Sequence, residues 1–344
     1  MSSLETVISA WDGEGVVCRF DRPAGTWIFI ALHDLGPGPA SGGTRMKPYD
    51  RSADALTDAQ RLAEGMTHKW RALGMACGGG KAVLDVPADL AAADREGLLR
   101  RYARLVESLG GVFRTGCDLG TSPADMLLMS RETRWVHGIL GDGRSLDPGP
   151  YTARGVRLGI EAAVEAVFGD AALAGRSVLV EGLGAVGEPL ARELAASGAR
   201  LLLTDLDADR AAALAAELGA ATVAPEAALA TPCDVYAPCA VGGRLTAATV
   251  PQLACRIVAG SANNQLGRPA DADLLHERGI FYVPDYIING GGALIFGSME
   301  PSAPEPPPMA ALEAIGARLR EVFRLAAEAG ESPAASARRL VEAR

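Results

Sequence analysis

Two lysines and an aspartate carry the chemistry this sequence can do. Lys81 follows three glycines, Gly78-Gly79-Gly80, and is flanked by Met75 and Ala76 before them and Ala82, Val83 and Leu84 after. Glycine removes side chains that would crowd a ligand and lets the backbone approach closely or take positive φ. The expectation is that the glycines precede a strand and present Lys81 beside open space. A lysine that loses solvation there has a depressed pKa and can act as a base near neutral pH. Lys69, twelve positions earlier in Met66-Thr67-His68-Lys69, can stay charged and hold an anionic group. Asp118 lies in Gly116-Cys117-Asp118-Leu119-Gly120-Thr121 at the end of a predicted strand. Alone, it reads first as a cap for a helix beginning at Pro123; Lys81 tips it toward a site.

These groups must be held by regular elements. Strands are predicted over 16–20 and 26–33, joined by a turn at Arg22-Pro23-Ala24-Gly25, followed by an irregular glycine-rich stretch, Gly36 to Arg45. A helix over 52–73 has Ser52 as candidate N-cap and Leu56, Ala59, Leu62 and Met66 on one face, with Lys69 continuing it. A strand over 82–86, a helix over 89–109 and a strand over 111–115 follow. The loose segment up to Pro150 reads as the hinge between two domains.

Beyond it the pattern alternates. A run of Val and Leu over 177–181 leads into Gly182-Leu183-Gly184-Ala185-Val186-Gly187 and a helix over 187–196; the next strand, 200–204, ends in Asp205. Strand, glycine turn, helix and a later acidic residue together form a dinucleotide-binding fingerprint, with helix N–H groups for the pyrophosphate. Asp205 would bond the ribose hydroxyls and repel a 2′-phosphate, which favours NAD over NADP; its alternative is a cap for a helix over 207–218. Strands over 234–237, 256–259 and 281–283, with helices near 247–253 and 269–278, complete a doubly wound parallel sheet. Asn263 and Asn289 stand near strand ends, where such sheets keep ligands. After a proline-rich spacer, 301–308, helices are predicted over 309–329 and 333–342.

The chain has 344 residues, 49% of them hydrophobic, which makes two globular domains the natural expectation. A net charge of -9 and a pI near 5.1 argue against nucleic acid or an anionic membrane as partner. No secretory signal or membrane span is expected. The six cysteines form no C-x-x-C pair, so reduced cytoplasmic thiols are expected and no metal site. Cys77 and Cys117 adjoin the motifs above, with no histidine next to either.

The sequence resembles the leucine/phenylalanine/valine branch of the amino acid dehydrogenase superfamily that includes glutamate dehydrogenase. The resemblance rests on Gly42-Gly43-Thr44-Arg45, Met66 to Lys69, Gly78 to Lys81, the Asp118 turn, Gly182 to Gly187, Ala262-Asn263-Asn264 and the run from Pro284 to Gly292. It implies an α/β protein with a substrate-binding and oligomerisation domain (1–145), a Rossmann-type NAD domain (146–300) and C-terminal helices (301–344) packing back across the junction. It also implies a homo-oligomer that reversibly deaminates a nonpolar L-amino acid to its 2-oxo acid, ammonia and NADH. On this resemblance Lys69 binds the substrate carboxylate, Lys81 is the general base and Asp118 the proton shuttle. Gly43 and Asn263 help hold substrate, and Ser41, Gly116, Ala293 and Phe296 line its side-chain pocket. Thr152, Cys239, Ala240 and Asn289 lie by the cofactor. Small Gly116 and Ala293 leave room for an aromatic ring, while Phe296 and Ser41 take some of it back. A catalytically silent NAD-binding regulator would have lost one of Lys69, Lys81 or Asp118; a hydroxy acid dehydrogenase would need a histidine at a strand end of the cofactor domain.

Overall fold

The computed structural model describes residues 4–300 and 303–342; Pro301 and Ser302 of the expected spacer lie outside these. The chain divides into two compact units. One runs to Asp147 and takes in Phe296 to Pro307, and the other comprises Pro148–Ile295 and the chain from Pro308.

The first unit contains α1 (Leu4–Ser9), β1 (Gly15–Asp21), β2 (Thr26–Leu32), β3 (Ala40–Lys47), α2 (Ser52–Ala72), β4 (Gly78–Asp85), α3 (Ala92–Ser108), β5 (Phe113–Cys117) and α4 (Pro123–Met129). Its sheet has the order β1-β2-β4-β3-β5, with β3 parallel to both β4 and β5 and β2 antiparallel to β1 and β4. Alternate residues serve opposite faces, as strand geometry requires. Phe29, Ala31 and Val83 pack with Leu56, Ala59 and Ala63 of α2, whereas Ile28, Ile30, Ala82 and Leu84 pack with Leu98, Tyr102 and Phe113. Each large side chain so buried contributes roughly 1.5–3 kcal/mol.

Two expectations fail in this sheet for one physical reason. The stretch from Gly36 to Arg45 is irregular only to Pro39; from Ala40 it is β3, hydrogen bonded on both sides. Gly78 to Gly80 likewise open no space beside a ligand, being the buried start of β4 with no positive φ. A Cβ on Gly79 would lie 2.1 Å from Thr67 Oγ1 and 2.3 Å from the Ala63 carbonyl, and one on Gly78 would lie 1.7 Å from the Asp34 carbonyl. The glycines let the protein approach itself, not a ligand. Ser52 is not the cap of α2; Arg51 holds that place with no side-chain bond to the first-turn N–H groups. Ser122 and Asp125 form a capping box on α4, so Asp118 is not that helix's cap.

The second unit contains α5 (Gly149–Phe168), β6 (Ser177–Glu181), α6 (Gly187–Ala196), β7 (Arg200–Thr204), α7 (Ala208–Leu218), β8 (Ala221–Thr222), β9 (Cys233–Pro238), β10 (Cys255–Val258), α8 (Asp271–Glu277), β11 (Phe281–Tyr282), α9 (Asp285–Ile288), α10 (Gly291–Ser298, whose last residues count with the first unit), α11 (Glu313–Ala329) and α12 (Pro333–Glu342). All its strands run parallel in the order β11-β10-β9-β6-β7-β8. The order reverses between β6 and β9, which is where doubly wound sheets open a crevice. The helix expected near 247–253 shrinks to a 3-10 turn, Val250–Gln252, because Pro251 lacks the N–H that an α-helix needs. The terminal helices belong to this unit. Ile315 and Leu319 of α11 meet α5 where Gly155 and Gly159 leave it bare.

Candidate active site

The charged residues of the first unit converge on the face of the sheet that α2 covers. Lys81, in β4, alternates with Gly79 and Val83 and so points toward that helix; the residue is only 6% exposed. Its Nζ lies 3.3 Å from Asp118 Oδ2. Burial pushes the Lys81 pKa down; Asp118 opposes this, Arg45 adds to it, and the result stays below the ordinary lysine value. For Asp118 burial works upward, but Lys81 and Arg45 outweigh it and the carboxyl titrates below the usual range. The pair therefore combines an ionised carboxylate with a lysine able to give up its proton.

Gly43 brings β3 against this pair. A Cβ there would sit 2.6 Å from the Cys117 carbonyl and 3.0 Å from Asp118 Cβ. Lys69 stands half-buried in the last turn of α2. Neither neighbouring thiol is activated: the Cys77 pKa is raised by burial, and that of Cys117 is pushed up to about 11 by desolvation, with Asp125 and Asp118 adding.

Ser41, Gly116 and Phe296 meet at a residue that sequence reasoning passed over, His137. Its Nε2 lies 2.7 Å from Ser41 Oγ, a ring N–H donates to the Phe296 carbonyl, and a Cβ on Gly116 would lie 3.6 Å from His137 Cβ. The room that Gly116 leaves thus faces the histidine. Burial, then Arg114, pulls the His137 pKa down to about 4. With the single N–H of a neutral ring turned to the carbonyl, Ser41 donates to Nε2. Ala293 stands half-buried on α10 in the second unit.

In the second unit each glycine of the turn after β6 has its own task. Gly182 has φ +91°, which makes the tight turn; Gly187 packs so closely that a Cβ would fall 1.8 Å from the Gly182 carbonyl; the Cβ direction of Gly184 meets nothing within 4 Å. That opening, with Gly184 and Ala185 exposed and Val186 capping α6, suits a dinucleotide pyrophosphate. Asp205 Oδ2 accepts the Leu183 N–H at 2.6 Å and Oδ1 that of Asp207 at 2.9 Å. Burial works upward on its pKa, but these amides and Arg210 hold it below the ordinary value. The cap of α7 is Asp207, which frees Asp205 from that alternative. Ala240 lies over Gly182, and the Cys239 N–H donates to the Glu181 carbonyl at 2.7 Å. Asn289 Nδ2 donates to Asn263 Oδ1 at 2.8 Å, and Thr152 Oγ1 accepts from the Gly292 N–H at 3.2 Å.

Two family models match this chain. Residues 25–135 fit the Glu/Leu/Phe/Val dehydrogenase dimerisation domain, and residues 204–329 fit Glutamate/Leucine/Phenylalanine/Valine dehydrogenase. The leucine dehydrogenase of Geobacillus stearothermophilus is 42% identical over 83% of this chain and 78% of its own. The chain belongs to the Glu/Leu/Phe/Val dehydrogenase family. Within that family the L-tryptophan dehydrogenase of Nostoc punctiforme is 38% identical over 100% of this chain and 96% of its own. Its crystal structure superimposes with a TM-score of 0.84, covering 99% of this chain and 97% of that one, at 36% identity. The valine dehydrogenase of Streptomyces albus is 42% identical over 82% of this chain and 78% of its own.

Arg45 and Asp58, which sequence reasoning also passed over, join the cluster around Lys81 and Asp118. Arg45 Nε donates to Asp118 Oδ2 at 2.8 Å and NH1 to Asp58 Oδ2 at 3.0 Å. A signal for Asp58 existed in the sequence: it precedes Leu62, Met66 and Lys69 by four, eight and eleven positions, one stripe of a helix.

Proposed function

We propose that this protein catalyses reversible NAD-dependent oxidative deamination of a nonpolar L-amino acid to its 2-oxo acid and ammonia. The observation that carries the reading is the buried Lys81 facing Asp118 at 3.3 Å, a base and a proton carrier in contact. The names of its relatives, leucine, valine and tryptophan dehydrogenases, support the same class of substrate. Thr152, Cys239, Ala240 and Asn289 would hold the nicotinamide, which would supply the acceptor for the hydride leaving Cα. Lys69 pairs with the substrate carboxylate, and Gly43 and Asn263 help to hold the substrate. Lys81 takes a proton from the water that adds to the C=N carbon of the imino acid. Asp118 relays that proton to the amino nitrogen, and as the C–N bond breaks and ammonia leaves, Lys81 takes the hydroxyl proton so that the C=O of the 2-oxo acid forms. The arrangement around Asp205 supports NAD as cofactor. The dimerisation-domain match and the open edge of β1 support a homo-oligomer.

Absorbance of NADH at alkaline pH, measured with leucine, valine, phenylalanine, tryptophan and glutamate in turn, tests the reading. Turnover with one or more of the first four and little with glutamate is expected, since Ser41, Gly116, Ala293 and Phe296 carry no charge. Absence of turnover with all five, in protein that binds NAD, would leave a cofactor-binding regulator instead.

A further inference from the structure

The proposed chemistry uses Lys69, Lys81 and Asp118 and leaves Arg45 without a task. Yet Arg45 touches the catalytic carboxylate directly: its Nε reaches the same Asp118 oxygen, Oδ2, that Lys81 Nζ faces, at 2.8 Å and 3.3 Å respectively. Behind it stands a second anchor. NH1 donates to Asp58 Oδ2, which also accepts from the Tyr49 hydroxyl at 2.7 Å, while Asp58 Oδ1 accepts from Arg61 at 2.8 Å. Side chains of Arg45 and Asp58 are 19% and 16% exposed, so solvent screens this chain of charges only in part. A guanidinium gripped at both ends has one available position.

Resting on the amino acid dehydrogenase reading, we propose that Arg45 is a positioning residue of the deamination: held from behind by Asp58, it fixes Asp118 Oδ2 against Lys81 and keeps that carboxylate from neutralising the lysine alone.

The electrostatics act in the same direction. Lys81 is faced by Asp118 from beyond β5, Arg45 from β3 and Asp58 from α2, the helix that also carries Lys69 in its last turn. Burial is the largest influence lowering its pKa, Asp118 and Asp58 favour the charged form, and Arg45 disfavours it. Removing Arg45 takes away a repelling cation and frees Asp118 to pair with Lys81 alone. Both changes favour protonated Lys81, the form that cannot act as base.

The test compares wild type with Arg45→Met and Arg45→Lys by two readouts. In the pH profile of kcat for deamination, the limb that rises as Lys81 loses its proton should move upward by about one pH unit or more in Arg45→Met. Arg45→Lys keeps a charge but cannot grip Asp118 and Asp58 together; it should restore most of the midpoint and only part of the rate. The second readout needs no turnover: acylation of Lys81 by acetic anhydride as a function of pH, followed by mass spectrometry of its peptide, should show the same displacement. Melting temperatures identify any variant that fails to fold. An unmoved midpoint in both readouts, with only stability or overall rate reduced, would show Arg45 to be structural and overturn the proposal. If wild type deaminates no amino acid, the dehydrogenase reading fails, and the labelling midpoint still decides whether Arg45 governs Lys81.

Discussion

The end of β4 and the turn after β6 are both rich in glycine, and they use it in opposite ways. Around Lys81 the glycines are buried, and every Cβ direction from Gly78 to Gly80 runs into protein. In the turn after β6, Gly184 faces open space within 4 Å and is exposed. The first region works through side chains, a lysine, an arginine and two aspartates brought together by strands packed too closely for any other residue. The second leaves the backbone at the start of α6 an unobstructed approach. A glycine run therefore says that something comes close. Which partner comes close is a property of the fold.

The largest effect should come from the side-chain region. Lys81→Ala removes the only proposed base and should lower kcat by about 10²–10⁴-fold, with NAD affinity measured by fluorescence titration unchanged. Near-normal turnover would show that the work of this region is not done by its lysine, and the comparison would lose its chemical half.

Paired glycine substitutions sharpen the contrast. Gly79→Ala forces a Cβ to within 2.1–2.4 Å of Thr67 Oγ1, the Ala63 carbonyl and the Thr67 amide, so α2 has to leave the sheet. A loss of about 3 kcal/mol is expected, read as a fall in Tm. Gly184→Ala meets no protein atom within 4 Å; it should leave Tm unchanged and weaken NAD binding by about tenfold. Equal destabilisation by the two would erase the distinction.

The same contrast explains what could be read from the sequence. The glycine turn after β6 is a local object: strand, Gly182 to Gly187, helix and Asp205 fall within one βαβ unit, so the strand–turn–helix expected there is the one formed. Lys81 and Asp118 were legible as residue types, but their support was not, because Arg45 and Asp118 are 73 positions apart and meet only through the folded sheet, where β3 runs beside β5 and the turn after it. β3 itself escaped notice. Ala40-Ser41-Gly42-Gly43 lacks the alternation of a half-buried strand, because small residues let this interior strand lie against both neighbours. His137 gave no periodic or motif signal and became visible only where Ser41 of β3, the segment after α4 and Phe296 meet.

The unit that holds the first region should also show itself in the stability of the protein against acid. His137 has its folded pKa depressed to about 4, below the roughly 6.5 of an unfolded histidine. Protons are then taken up preferentially by the unfolded chain as pH falls below 6.5, and stability declines until the folded pKa is reached. For a half-buried ring the loss is about 2 kcal/mol between pH 6.5 and 4. Urea unfolding across that range should show a shallower decline in His137→Gln, and identical slopes would mean that the ring is solvated.

In the second region, by contrast, the proposed role of the carboxylate is to select the cofactor without taking part in the reaction. Asp205 is held by the Leu183 and Asp207 amides, and with its pKa lowered it remains charged throughout the neutral range. On the proposed reading that charge meets the ribose 2′ position, and Arg210 NH1 lies 3.8 Å from Oδ2. Asp205→Ala removes both the hydroxyl acceptor and the repulsion toward a 2′-phosphate, and leaves Arg210 to meet one. The ratio of kcat/KM for NAD over NADP should fall by about tenfold, chiefly through KM. If the ratio holds while kcat falls, the carboxylate shapes the turn through Leu183 instead of reading the ribose, and this region too would act through its side chains.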